Sequence, residues 1–255
     1  MSTISSQEAT KEVFKSGFVT LIGRPSAGKS SLLNALMGKK LAISSPTAQT
    51  TRHRFRAVHT TDSHQIIIVD TPGVHKPHDT LGEELNTTAL KSLEGIDVAA
   101  FVLDASAPFG TGDEWVISQL AQCSMPKLLV LSKIDLVTQE ELDLQRQRAL
   151  EAGQWDGVVA LSSVTGEQID TFIELVEQFL PAGPLWFPAD METDQPIEVI
   201  IAEFIREKIL LTAHDEVPHA VGVVVEDMEY NRRKNLEKIY ASVYVERDSQ
   251  KGILI

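Results

Sequence analysis

The chain has 255 residues, 43% of them hydrophobic, and a formal net charge of -13 at pH 7. That length suits one large domain or a domain with a smaller companion, and the charge excludes broad, sequence-blind binding to nucleic acid, because the whole-molecule field repels phosphate. No apolar run has the length of a membrane span, residues 1–16 lack the apolar segment of a signal peptide, and the lone Cys123 excludes an internal disulfide, which together predict a soluble protein of the reducing cytosol.

In chain order, residues 18–22 form an apolar run that reads as a buried strand, and residues 30–37 read as a helix. Between them stands Gly23-Arg24-Pro25-Ser26-Ala27-Gly28-Lys29-Ser30, two glycines bracketing four residues and followed by Lys-Ser, with Ser31 opening the helix proper. A strand that delivers such a loop to a helix N-terminus turns backbone N–H groups inward and adds positive dipole, which is a cradle for phosphate. Lys29 then serves the outer phosphates as a point charge, and the Ser30 hydroxyl is a magnesium ligand.

Further strands are predicted at residues 54–60, 65–69, 98–103, 127–131 and 158–161, with helices at 81–93, 113–121, 139–151 and 168–180. Strands 54–60 and 65–69 meet across Thr61-Asp62-Ser63-His64 and form an antiparallel hairpin. The rest is a βα alternation, so the expected fold is α/β: a mostly parallel six-stranded sheet with one antiparallel edge strand, helices on both faces and ligands at the carboxyl ends of the strands. Residues 181–196 are dense in proline, glycine and acids and read as a linker. Beyond it, a helix at 197–211 and strands at 220–225 and 239–245 predict a small α+β module, close to charge balance, with the basic run Arg232-Arg233-Lys234 between its strands. The expected division is therefore 1–180, 181–196 and 197–255.

Three loops complete a nucleotide site. Asp70-Thr71-Pro72-Gly73 follows a strand end, where Asp70 holds magnesium and Gly73 brings a bare N–H to a γ-phosphate. Ser132-Lys133-Ile134-Asp135 follows the next strand end, where Asp135 accepts from the N1–H and exocyclic amine of guanine, a pair that adenine does not offer, and the Lys133 stem lies over the base. Ser162-Ser163-Val164, after the last strand, offers a backbone N–H to the guanine carbonyl. The hydroxyl-rich stretch 44–53 supplies Thr51, or else Thr50, to magnesium only when a γ-phosphate is present, an order-disorder switch. GTP or GDP and Mg2+ are the expected cofactors, with Lys29, Thr51 and Gly73 as the catalytic set.

Gln49-Thr50-Thr51-Arg52-His53-Arg54, Asp70-Thr71-Pro72-Gly73-Val74-His75, Glu203-Phe204-Ile205-Arg206-Glu207-Lys208 and Val243-Tyr244-Val245-Glu246-Arg247-Asp248-Ser249-Gln250-Lys251-Gly252 resemble the Era family of ribosome-assembly GTPases over nearly the whole chain. The resemblance implies a P-loop NTPase domain, a KH-like RNA-binding module, GTP hydrolysis, and binding of small-subunit ribosomal RNA during subunit assembly. It further implies a cytoplasmic and monomeric protein, with peripheral association at the inner face of the cell membrane in some members. Three departures stand out. Ser132 replaces the usual Asn and is expected to weaken the tie between base and phosphate loop. Ser26 replaces the Asn linked to potassium activation, and the chain stops before the Gly-x-x-Gly clamp of the KH module. Two alternatives stand beside this reading, a GTPase of the tRNA-modifying branch and a nucleotide-binding scaffold with little turnover.

Val74 stands where Ras-like enzymes carry a water-positioning Gln, so slow intrinsic turnover is expected. Arg24, Arg52 and Arg54 are read as solvent or RNA contacts rather than as arginine fingers, and His75 and His78 as solvated rather than metal-binding.

Overall fold

The structure is a computed structural model that describes residues 13–43, 55–71, 93–212, 221–247 and 250–251. The expected helix at 81–93, all but its last residue Leu93, and the residues Thr50, Thr51, Arg52, Arg54, Gly73, Val74, His75 and His78 lie outside the described residues.

Six strands make the main sheet: β1 (Lys15–Ile22), β2 (Phe55–Thr60), β3 (His64–Asp70), β4 (Val98–Asp104), β5 (Lys127–Ser132) and β6 (Gly157–Ala160), in the order β2-β3-β1-β4-β5-β6. All pairings are parallel except that of β2 with β3. That hairpin closes through Thr61, whose N–H donates to the His64 carbonyl at 2.8 Å. The sheet is buried on both sides, as near-continuous apolar runs such as the VAAFVLD of β4 require.

One face carries α1 (Lys29–Met37) and α4 (Ile169–Phe179), whose Leu32, Leu33, Leu36, Phe172 and Val176 pack on Val19, Leu21, Ala100 and Val130. The other carries α2 (Thr111–Leu120) and α3 (Gln139–Ala152) through Val116, Ile117, Leu120 and Ala149, against Ile22, Phe101, Leu129 and Leu131. Alternate residues of each central strand thus serve opposite layers.

Residues 181–195 run along the sheet rather than away from it. Pro181 O accepts from Ser16 N at 3.1 Å, Ser16 Oγ donates to Pro184 O at 2.6 Å, and the buried Gln65 side chain bonds Trp186 N, Phe187 N and Phe187 O. Val58 N then donates to Glu192 O, Thr193 Oγ1 to Arg56 O, and Arg56 pairs with Asp194.

The last part has α5 (Ile197–Thr212) against an antiparallel pair, β7 (Val221–Asn231) and β8 (Leu236–Val245). Its small core joins Val221, Val223 and Val245 to Ile209. Both strands run longer than the apolar runs 220–225 and 239–245, because charged residues such as Glu229 and Lys238 pair across an exposed ribbon where neither face demands an apolar side chain. Arg232, Arg233 and Lys234 form its turn.

Candidate functional site

The loop between β1 and α1 is shaped by two glycines. A Cβ on Gly23 would stand 2.3 Å from the Val102 carbonyl oxygen of neighbouring β4, so the chain leaves the sheet there only without a side chain. Gly28 has φ +98°, a left-handed conformation that costs glycine nothing, and Leu32 N donates to its carbonyl at 2.8 Å as α1 begins. Between them Ser26 also takes a left-handed turn at φ +60°. Pro25 and Ala27 complete the curve, Ala27 being buried and Ser31 half-buried at the start of α1.

Lys29 is 5% exposed, and its ammonium donates to the carbonyls of Gly23 at 3.1 Å and Arg24 at 2.8 Å, closing the loop from within. Burial lowers its pKa from 10.5 to about 8, with the Asp70 carboxylate acting in the opposite direction. Ser30 Oγ donates to Asp70 Oδ2 at 2.7 Å, which joins the start of α1 to the end of β3. Asp70 is fully buried, and the adjoining Thr71 is fixed by its hydroxyl to Leu21 O at 2.8 Å. Two hard oxygens this close, at the mouth of a phosphate cradle, suit magnesium.

Arg24 does not face solvent alone. Its Nη1 donates to Asp113 Oδ2 at 2.9 Å and Pro108 O at 3.3 Å, and its stem crosses Gly112, where a Cβ would stand 3.2 Å from Arg24 Cδ. Asp113 also accepts from Gly110 N at 3.0 Å at the N-terminus of α2. Beyond the solvent contact read from sequence, with its side chain 39% exposed, Arg24 anchors the loop to α2.

At the end of β5, Ser132 is buried and its Oγ lies 2.6 Å from Ala27 O and 3.1 Å from Leu103 O. Ser132 therefore keeps a direct bond to the phosphate loop. A hydroxyl has a single proton, however, and this one is committed to carbonyls. Lys133 follows with φ +59° and places its ammonium 2.6 Å from Asp104 Oδ2. Asp135, exposed in the short turn Ile134–Leu136, accepts from Ser162 Oγ at 2.6 Å. The same Ser162 oxygen accepts from Val164 N at 3.2 Å and Thr165 N at 3.1 Å, while Val164 itself is 84% exposed. Ser163 stands half-buried between them.

The described residues named from sequence for the nucleotide thus converge on the carboxyl ends of β1, β3, β5 and β6. Sequence reading missed Asp104, Asp113 and the role of Ser162. Asp104 carried a signal: it ends β4 as Asp70 ends β3, a carboxylate at the carboxyl end of a parallel strand.

The fold and the loop geometry define a P-loop NTPase. A family model of 50S ribosome-binding GTPases matches residues 18–133. GTPase Era of a Nostoc species is 43% identical over 244 residues, covering 95% of this chain and 74% of the relative, and GTPase Era of Clostridioides difficile is 42% identical over 245 residues, covering 95% and 82%. A crystal structure of Era in complex with MgGDPNP and nucleotides 1506–1542 of 16S ribosomal RNA superposes with a TM-score of 0.89 at 33% identity, over 95% of this chain and 82% of that one. A point variant of Aquifex aeolicus Era bound to GDP.AlF4- gives 0.87 at 32% identity, over 95% and 83%. The chain belongs to the Era family of GTPases, enzymes that hydrolyse GTP.

Proposed function

We propose that this chain is a magnesium-dependent GTP switch that binds small-subunit ribosomal RNA and assists assembly of that subunit in the cytosol. The observation that carries the reading is the pairing of Ser30 with Asp70 at 2.7 Å beside the buried Lys29, in a chain about two-fifths identical to GTPase Era along nearly its whole length.

In this reading the amides of residues 23–31 cradle the phosphates, Lys29 leaves its two carbonyl partners for phosphate oxygens, and Ser30 would hold the metal through a hydroxyl lone pair while its proton stays with Asp70, which would act through water. Mg2+ would supply charge neutralisation between the outer phosphates. Thr51 and Gly73 complete the γ-phosphate end. Asp135, oriented by Ser162, reads the guanine edge, and Lys133 lies along the base. Val164 N–H is engaged by Ser162 Oγ, so Ser163 N–H is the donor we assign to the guanine carbonyl. With Val74 in place of a water-positioning side chain, the free protein turns over slowly. The division at 1–180, 181–196 and 197–255, the RNA role of the last part, a monomeric state and peripheral membrane contact belong to the same reading.

The test is titration with fluorescent GDP, GTP and ATP analogues with and without magnesium, followed by a labelled RNA of the 3′ region of 16S RNA. Guanine-selective, magnesium-strengthened binding and RNA binding that responds to nucleotide support it. Equal affinity for ATP overturns the guanine assignment.

A further inference from the structure

Asp104 belongs to none of the loops that read phosphate, metal or base, yet its carboxylate is held from two sides. Oδ1 accepts from Ser106 N at 2.9 Å and Ser106 Oγ at 2.6 Å, and Oδ2 meets the Lys133 ammonium at 2.6 Å. In the sheet it lies directly opposite Ser132, and Ala105 N donates to Ser132 O at 3.0 Å. The carboxylate is thus fixed to the base of the Ser132–Asp135 loop before it meets the lysine.

The lysine follows a narrow course. It leaves a backbone at φ +59°, a conformation costly for a side-chain-bearing residue, and its stem passes Gly28, whose missing Cβ would stand 3.9 Å from Lys133 Cε. Asp104 holds the far end of that stem. We propose that Asp104 is a positioning residue for guanine binding: it draws the Lys133 stem across the floor of the base site, between the phosphate loop and Asp135. The inference rests on the guanine reading above and extends it to a residue outside the nucleotide-reading loops. A flat methylene stem held in place presents an apolar surface to the base without losing rotamer freedom when the nucleotide arrives.

A merely stabilising ion pair between partly exposed groups has little energetic worth and acts on folding alone. The two roles separate in a double-mutant cycle. Dissociation constants and off-rates for fluorescent GDP are measured on the full chain as wild type, Asp104→Asn, Asp104→Glu, Lys133→Met, and Asp104→Asn with Lys133→Met, with thermal midpoints alongside. We expect Asp104→Asn to weaken GDP by about tenfold, the size of one lost charge-assisted contact. Asp104→Glu recovers most of that loss, and Asp104→Asn adds nothing once Lys133 is Met. Unchanged affinity in Asp104→Asn, or an equal loss in the Lys133→Met background, overturns the proposal. Failure of the wild type to prefer GDP over ADP overturns the guanine reading, and this inference with it.

Discussion

The Ser30 hydroxyl donates to Asp70 Oδ2 at 2.7 Å, so the two residues assigned to magnesium already touch. The donation uses the hydroxyl's proton and leaves its lone pairs for the cation, so Ser30 ligates the metal while it stays bonded to Asp70. Replacing Ser30 by Ala removes a ligand while leaving α1 a residue of high helix propensity in its first turn. We expect GTP affinity in magnesium to fall by roughly ten- to a hundredfold, the range of a lost metal contact. The same variant should match the wild type in EDTA, as read by fluorescent-nucleotide titration.

Ser132 spends its one proton on carbonyls, chiefly Ala27 O at 2.6 Å. An Asn side chain brings two N–H donors and an acceptor, enough to keep the loop bond and reach the base. Ser132→Asn should therefore tighten GDP by about tenfold, one added hydrogen bond in a dry site, with ADP unchanged. Competition between the two nucleotides measures it, and equal gains for both would show that the new amide does not read the base.

Lys29 has its pKa lowered to about 8 by burial. The folded chain releases this proton more readily than the unfolded one, whose lysine titrates at about 10.4. Below pH 8 both states hold the proton, and the cost of burying the charge is fully present. Between pH 8 and about 10.4 the unfolded state holds more protons, so this residue's contribution to stability rises with pH. Phosphate binding works the other way, because it favours the charged ammonium. Nucleotide affinity should decline above pH 8, with proton uptake at pH 8.5 visible as a buffer-dependent heat in titration calorimetry. Heats independent of buffer would contradict it.

Gly23→Ala forces a methyl to within 2.3 Å of the Val102 carbonyl unless the strand end moves. Overpacking of this kind costs about 1–3 kcal/mol. A urea midpoint should show that loss, and nucleotide binding should fall further than stability, since the displaced segment is the cradle itself.

Much of the nucleotide half was legible because its physics is local. Alternating apolar runs and breaker clusters marked the strands, the polar quartet at 61–64 marked the hairpin, and Gly23 and Gly28 occupy the positions where a side chain is excluded or a left-handed turn is needed. The extent of β7 and β8 was not legible, since residues such as Asp227 and Glu229 sit on an exposed ribbon and follow no apolar period. Nor was the course of residues 181–195, where proline, glycine and acids suggest a free tether. The bonds of Ser16, Gln65, Arg56 and Val58 to that segment run largely through main-chain atoms, and main-chain partners leave no mark in side-chain identity. Asp104 escaped for a related reason: its meaning depends on which strand lies beside it.

Residues 192–194 have a consequence for handling the protein. They occupy the outer side of β2, covering Val58 N–H and the Arg56 carbonyl, and two ion pairs, Lys39 with Glu192 and Arg56 with Asp194, hold them there. Cutting the chain at residue 180 would strip this cover and leave an open strand edge beside the apolar interior of the sheet, a template on which a second molecule can add its own strand. A nucleotide-binding fragment that ends at 195 keeps its edge closed, and one that ends at 180 invites aggregation.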